Sequence, residues 1–257
     1  MRILTSFLVS LLTVQSPTAE AQVDSVQPVT PEVAMAARPY GPGERMEYVA
    51  RYGFMNPGRA SMEVVGIEDV RGRPALHTRF SLKGRLFVAV NYLLESWVDM
   101  ERIASVRFLQ DNDDDPSERH RSYEIFPDRQ TYTVNGGEEQ PSVAHPLDEG
   151  ALLYHVRTMD LEVGKTYELN RYFRPDRNPV IIKVLRKQRI DVPAGRFNTI
   201  VIQPIIKARG IFSEGGQAEI YLSDDPRRIM VQMRVKIAAI KISLQLERYR
   251  PPTDATK

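Results

Sequence analysis

The 257-residue chain contains no cysteine. That absence removes disulfides, thiolate metal ligands and cysteine nucleophiles at once, so the fold must stand on its own apolar core. Charge of one sign is also missing. The chain has 35 Lys and Arg against 33 Asp and Glu, a net charge of +2, which lacks the concentrated basic excess of a nucleic-acid binder. There is no G-x-S-x-G elbow, no S-x-x-K, no H-E-x-x-H and no phosphate loop. Gly136-Gly137 and Gly215-Gly216 read as hairpin tips. No cofactor is implied. After the N-terminus, no run is apolar enough for a transmembrane segment.

What is present begins with an export pattern. Arg2 supplies a charged n-region, Ile3 to Val14 a short apolar core, and Ala19-Glu20-Ala21 a small-x-small cleavage site. The apolar run, at about 12 residues, is too short to span a bilayer as a helix. Residues 1–21 are therefore expected to be a signal peptide, and the mature protein to be periplasmic or extracellular. With no Cys after the apolar core, no thiol is expected for an N-terminal lipid. Residues 22–42 carry Pro28, Pro31, Pro39 and Pro42 without apolar periodicity and are expected to form a disordered tether. Residues 43–250 then form a single β-rich domain, and 251–257 a disordered tail.

From Arg45 the hydrophobic period is two. Met46, Tyr48, Ala50 and Tyr52 share one strand face, and Leu76, Thr78, Phe80 and Leu82 share another. Asn56-Pro57-Gly58 and Gly72-Arg73-Pro74 read as the turns between the first three strands. Leu86, Val90, Leu93 and Leu94 have helical spacing and predict a short amphipathic helix. Further strands are expected over 95–98, 104–110, 120–126, 131–134, 166–173, 180–188, 197–206, 218–222, 229–235 and 240–249. The best helix starts at Asp148, a good N-cap, with Glu149 in the first turn and Leu152, Leu153, Val156 and Met159 as its apolar stripe. The fold class is all-β with one or two short helices. Hairpin-like links imply an antiparallel sheet. So many strands must curl into a barrel or half-barrel, or pack as two meanders.

The ordered set of turns resembles the DUF3108 family of exported bacterial proteins. Its elements are Gly43-Glu44-Arg45-Met46-Glu47-Tyr48, Asn56-Pro57-Gly58-Arg59-Ala60, Ser96-Trp97-Val98-Asp99, Pro146-Leu147-Asp148 with Leu153-Tyr154, Val163-Gly164-Lys165-Thr166-Tyr167, Val192-Pro193-Ala194-Gly195-Arg196-Phe197 and Leu222-Ser223-Asp224-Asp225. The resemblance implies a β-rich envelope protein and assigns no catalytic residue.

Chemistry-bearing clusters are few. Asp111, Asp113 and Asp115 have the alternate spacing of a calcium loop, but Pro116 stands where such a loop needs Gly and Ser122 where it needs Glu, so a solvated hairpin tip is expected. His77, His120, His145 and His155 form no close-spaced metal pair. Glu95 and Asp99 flank Trp97, the one tryptophan, and alternation puts all three on one face. From Ile240 onward, Ile240, Ile242, Leu244 and Leu246 alternate with Lys241, Ser243, Gln245 and Glu247, giving one apolar and one wet face. Trp97, Tyr154, Ile240, Ile242 and Leu244 are the candidate ligand-contacting residues. Three readings follow: an envelope protein that holds a lipid or other apolar or amphipathic ligand, or a partner chain, in a curved sheet; an interaction module of an envelope assembly; or an envelope-polymer hydrolase using Glu95 and Asp99.

Overall fold

The computed structural model describes residues 38–85, 89–112, 119–207, 217–237 and 240–253. The signal peptide, most of the tether, the Asp113–Pro116 part of the acidic loop and residues 254–257 lie outside them.

Fourteen strands form one antiparallel sheet: β1 (Arg45–Tyr52), β2 (Met55–Val70), β3 (Arg73–Arg85), β4 (Ala89–Asp99), β5 (Ala104–Asn112), β6 (Arg121–Phe126), β7 (Thr131–Val134), β8 (Gln140–Pro141), β9 (Thr166–Leu169), β10 (Val180–Val192), β11 (Gly195–Ile205), β12 (Gln217–Ser223), β13 (Met230–Ile237) and β14 (Ile240–Arg250). The order runs from β8 down to β1, then from β14 down to β9. The two meanders are thus halves of one wall, joined where the first and last strands pair, Tyr48 opposite Leu246 and Ala50 opposite Leu244. The sheet does not close. Its edges, β8 and β9, are very short, which limits the unpaired backbone they present. The chain between them seals the gap: Leu147 bridges to Tyr172, and the Ser142 hydroxyl donates to the Phe173 carbonyl. Phe173 then packs edge-on against Tyr123 and Tyr132.

The link also carries the single described α-helix, α1 (Glu149–Val156). Asp148 caps it as its sequence predicts, accepting from the Ala151 amide at 2.9 Å. The helix lies against β3 and β4 on the inner face of the sheet, burying Ala151, Leu152, Tyr154 and Val156 in the main core. Gly150 is needed for this approach, because a Cβ there would sit 2.4 Å from the Ser96 hydroxyl.

Three local readings change. Residues 89–94, expected as part of a helix, are the start of β4, with Leu94 opposite Phe80 and Tyr92 opposite Leu82. Strand pairing overrides a helical spacing that a short apolar run can mimic. The expected strand 166–173 stops at Leu169. The first turn lies at Gly53-Phe54, since Tyr52 pairs with Met55. Gly53 has φ +59, suited to a two-residue hairpin. Pro57 falls inside β2 beside a register shift between Ala50 and Tyr52, where an irregular ladder tolerates its missing N–H. By contrast, the 192–195 turn is as expected: Val192 pairs with Gly195, whose φ is +128.

Candidate binding face and its two ends

Alternation puts Met46, Tyr48 and Ala50 of β1, Leu76, Thr78, Phe80 and Leu82 of β3, and Leu244 and Leu246 of β14 on the inner face. At one end this face is filled. Met46, Tyr48, Met62, Met230 and Leu246 are fully buried there, and the Tyr48 hydroxyl donates to the Met230 carbonyl at 3.0 Å. Burial pushes the Tyr48 hydroxyl well above its ordinary pKa.

Arg157, just past the C-terminus of α1, closes this end. Its guanidinium donates two hydrogen bonds of 2.8 Å to the two oxygens of Glu44, and both side chains have 0% exposure. It also donates to the Arg227 carbonyl and lies over the rings of Tyr40 and Tyr154. Tyr249 donates to Glu44 at 3.3 Å. The packed chain therefore begins before Gly43: Tyr40 is buried edge-on against Tyr154, and Arg38 donates to the Met100 carbonyl. This one ion pair ties together the start of β1, the end of α1, the β12–β13 turn and β14.

At the N-terminus of α1, Asp148 is fully buried and accepts from Ser96 at 2.5 Å. Burial pushes its carboxyl up to about 6, partly offset by the bonds from Ser96 and Ala151. His155, further along the helix, is pushed down to about 4 by burial and by Arg171.

Toward the other end the inner face opens. On β3, Leu76 and Thr78 are buried while Phe80 and Leu82 are half-buried. On β4, Ser96 and Leu94 are buried while Tyr92 and Val90 are half-buried. On β14, Leu246 and Leu244 are buried while Ile242 is half-buried. Further round the same face, Gln110 of β5 pairs with Arg121 of β6. There a cavity of ≈ 360 Å³, open to solvent, is lined by Arg119, Arg121, Arg174, Tyr123, Tyr132, Val134, Asn135 and Gln140. Three guanidinium groups beside two aromatic rings and two amides can bind a carboxylate or phosphate through charge-assisted hydrogen bonds.

The predicted ligand residues divide. Tyr154 and Leu244 are both in the main inner core. Ile242 lies half-buried on the same strand face as Leu244. Ile240 pairs with Ile237 at the tip of the β13–β14 hairpin, and its side chain lies outside the described residues. Trp97 points to the opposite face. It packs with Val70, Ala75 and Val106, stacks on His77 at 4.2 Å and donates to Glu68 at 2.7 Å. His77 contacts Glu68 and Glu95 through its two ring nitrogens. The carboxylates flanking Trp97 have separate surroundings: Glu95 bonds His77 and Arg79, whereas Asp99 accepts the amides of Glu101 and Arg102 and pairs with Arg73. The two-carboxylate site of the hydrolase reading is therefore not formed. Among the described residues no group of three or more His, Asp and Glu side chains is placed to hold a metal ion, and no helix is long and apolar enough to cross a membrane.

Sequence reasoning missed the Glu44–Arg157 pair, the arginine-lined cavity and the position of Phe54. Only the clustered arginines at 119 and 121 gave any signal, and Arg174 joins them from more than fifty residues away.

The fold has a solved counterpart. A β-barrel-like protein of the DUF1849 family from Brucella abortus aligns over 83% of this chain and 99% of its own at 10% identity, with a TM-score of 0.52. A protein named as a lipoprotein from Parabacteroides distasonis, and one named as exported with a YmcC-like fold from Bacteroides fragilis, each align over 83% of this chain and 98% of their own, at 10% identity and TM-score 0.36. No curated protein matches the chain at a significant level. The model of the family described as protein of unknown function (DUF3108) matches residues 47–245, and the chain belongs to that family.

Proposed function

We propose that the protein is exported to the cell envelope and holds an amphipathic ligand, without catalysis, on the inner face of its curved sheet. One observation carries this reading: burial of the inward residues fades along three strands in the same direction, leaving Phe80, Leu82, Val90, Tyr92 and Ile242 half-buried on a face that is otherwise a packed core. A concave apolar surface of this kind either fills with side chains or takes a ligand, and α1 meets the open part at Tyr92, whose hydroxyl donates to Glu149 at 3.3 Å. The arginine-lined cavity on the same face gives the ligand a polar, anionic part. The export pattern of residues 1–21 supports the location.

The test is solvent extraction and native mass spectrometry of protein recovered from the envelope fraction of its own cells. The expected result is an added mass that extracts as an anionic lipid or similar amphiphile and is depleted in an Ile242→Trp variant, which fills the open part of the face. A bare polypeptide mass under mild conditions contradicts the reading.

A further inference from the structure

We infer that the outer face of β13, β14 and β1 carries a binding site for a small soluble anion with two or more phosphate groups. The strand register builds it. Arg234 lies opposite Ser243, Ser243 opposite Arg51, and Lys236 opposite Lys241. The residues between them, Ala50, Met233, Val235 and Leu244, are buried in the main core. Alternation therefore puts the four cations and Ser243 together on the other face. Arg51 and Arg234 are two strands apart, about 10 Å, and the lysine pair lies about 7 Å along the strands from the Ser243 row. Arg234, Lys236 and Lys241 are exposed, and Arg51 and Ser243 are half-buried.

Three observations set this patch apart from an ordinary solvated surface. The first is the contrast with the rest of the outer face, which is laced with cross-strand ion pairs: Arg45 with Glu63, Arg79 with Glu95, Arg107 with Glu124, Arg186 with Glu219 and Arg59 with Glu247. Residues 49–51, 232–236 and 241–245 contain no Asp or Glu. Among the described residues Arg51, Arg234, Lys236 and Lys241 form no ion pair. The carboxylates that flank the patch are engaged elsewhere. Glu219, opposite Arg234, takes both guanidinium nitrogens of Arg186 at 2.9 Å and the Tyr221 hydroxyl at 2.7 Å. Glu47 is held by Arg45 and Arg248. The second observation is Lys236 directly opposite Lys241, a like-charge cross-strand pair that costs the free protein stability. The third is Arg51. Its Nε is buried without a hydrogen-bond partner among the described residues, whereas buried side-chain donors are nearly always bonded.

The donors present select the chemistry. The Ser243 hydroxyl accepts from the Gln245 amide at 3.3 Å, which leaves its own proton to donate outward. Arg234 is steadied by Tyr221: it donates to the hydroxyl at 3.0 Å and lies over the ring. The patch thus offers two guanidinium forks, two ammonium groups and a hydroxyl. Guanidinium groups grip phosphate through paired hydrogen bonds, and lysines meet it as point charges. A phosphate monoester carries about −1.5 to −2 at neutral pH. Two phosphate groups therefore balance four cations within the span of the patch, where carboxylates would have to be twice as many. The patch lies on the sheet face opposite the proposed ligand-holding surface, and neither reading rests on the other.

The test is calorimetric titration of the protein, in the form the cell accumulates, with pyrophosphate and with inorganic phosphate at one ionic strength. The expected result is one pyrophosphate per chain, with inorganic phosphate at least tenfold weaker and both weakening as salt rises. Arg51→Gln and Lys241→Gln should each bind pyrophosphate at least fivefold more weakly. Lys241 is exposed, so its variant keeps the test valid if Arg51→Gln fails to fold. Arg189→Gln, which removes an exposed arginine of β10, should bind like wild type. Pyrophosphate should raise the melting temperature of wild type and of Arg189→Gln, and raise that of Lys241→Gln less. No heat from wild type, equal binding by wild type and Lys241→Gln, or equal weakening by Arg189→Gln would each overturn the inference. So would co-sedimentation with phosphatidylcholine vesicles containing a third phosphatidylglycerol without any heat from pyrophosphate, since the phosphate recognised would then be lipid-borne.

Discussion

The two ends of the sheet handle the same problem, exposed strand ends, in opposite ways. At the helix-closed end, opposite charges are driven together out of water: Arg157 and Glu44 are fully buried, doubly hydrogen-bonded and walled by Tyr40, Tyr154 and Tyr249. At the hairpin end, Phe54 stands 96% exposed at the β1–β2 tip, and Lys83, Arg85, Lys236 and Lys241 stay in water. A buried pair is a weak source of net stability but a strict one, since each partner left alone costs far more than the pair contributes. The first end therefore specifies one arrangement of four chain segments. The second end gains nothing from the Phe54 side chain, which stays in water.

The contrast predicts a steep ranking of stability effects. Arg157→Met leaves the Glu44 carboxylate buried without its partner and should cost roughly 3–5 kcal/mol in urea unfolding, whereas adding Glu44→Leu should restore most of it. If the double variant is as unstable as the single, the pair is not the closing element.

Next in size is the pH response of the helix. Asp148 has its folded pKa raised to about 6. The folded state thus holds a proton that the unfolded state has released, and stability falls as pH rises from about 4 to 6. The loss across that window is roughly 3 kcal/mol at most. His155, lowered to about 4, acts in the other direction: the unfolded state protonates first, so stability falls as pH drops from about 6.5 to 4. The two slopes oppose each other in the wild type. Asp148→Asn keeps a good cap and should expose a loss of stability on acidification; His155→Gln should expose a gain. Unfolding free energies measured at several pH values check this, and parallel curves for all three proteins would break it.

The smallest effect is at the other end. Phe54→Ser should change stability by less than about 0.5 kcal/mol, as expected for a side chain with no packing partners. A loss of several times that size would mean that Phe54 has a structural role, and would blur the contrast between the ends.

Much of the wall was legible from period-two patterning, because Met46, Tyr48 and Ala50, or Leu76 and Thr78, alternate cleanly against polar neighbours. The helix cap at Asp148 was legible because capping is local. Residues 89–94 misled because apolar residues occur on both strand faces near the open end, and Leu93 beside Leu94 imitates a helical stripe. The Glu44–Arg157 pair joins positions 113 residues apart, and neither residue has a local mark. Phe54 was hidden by Pro57, whose turn signal drew the first hairpin tip three residues too far along. The inner and outer faces of β14 were readable, but how deeply Ile242 would be buried depends on neighbours distant in sequence, which no local pattern encodes.

The most direct test of a ligand-holding inner face is calorimetric titration with a single-chain anionic lysophospholipid below its micelle concentration. Wild type and Trp97→Phe, altered only on the outer face, should bind one molecule with similar affinity, and Ile242→Trp should bind at least tenfold more weakly. Equal heats from all three proteins, or none from any, would contradict the account.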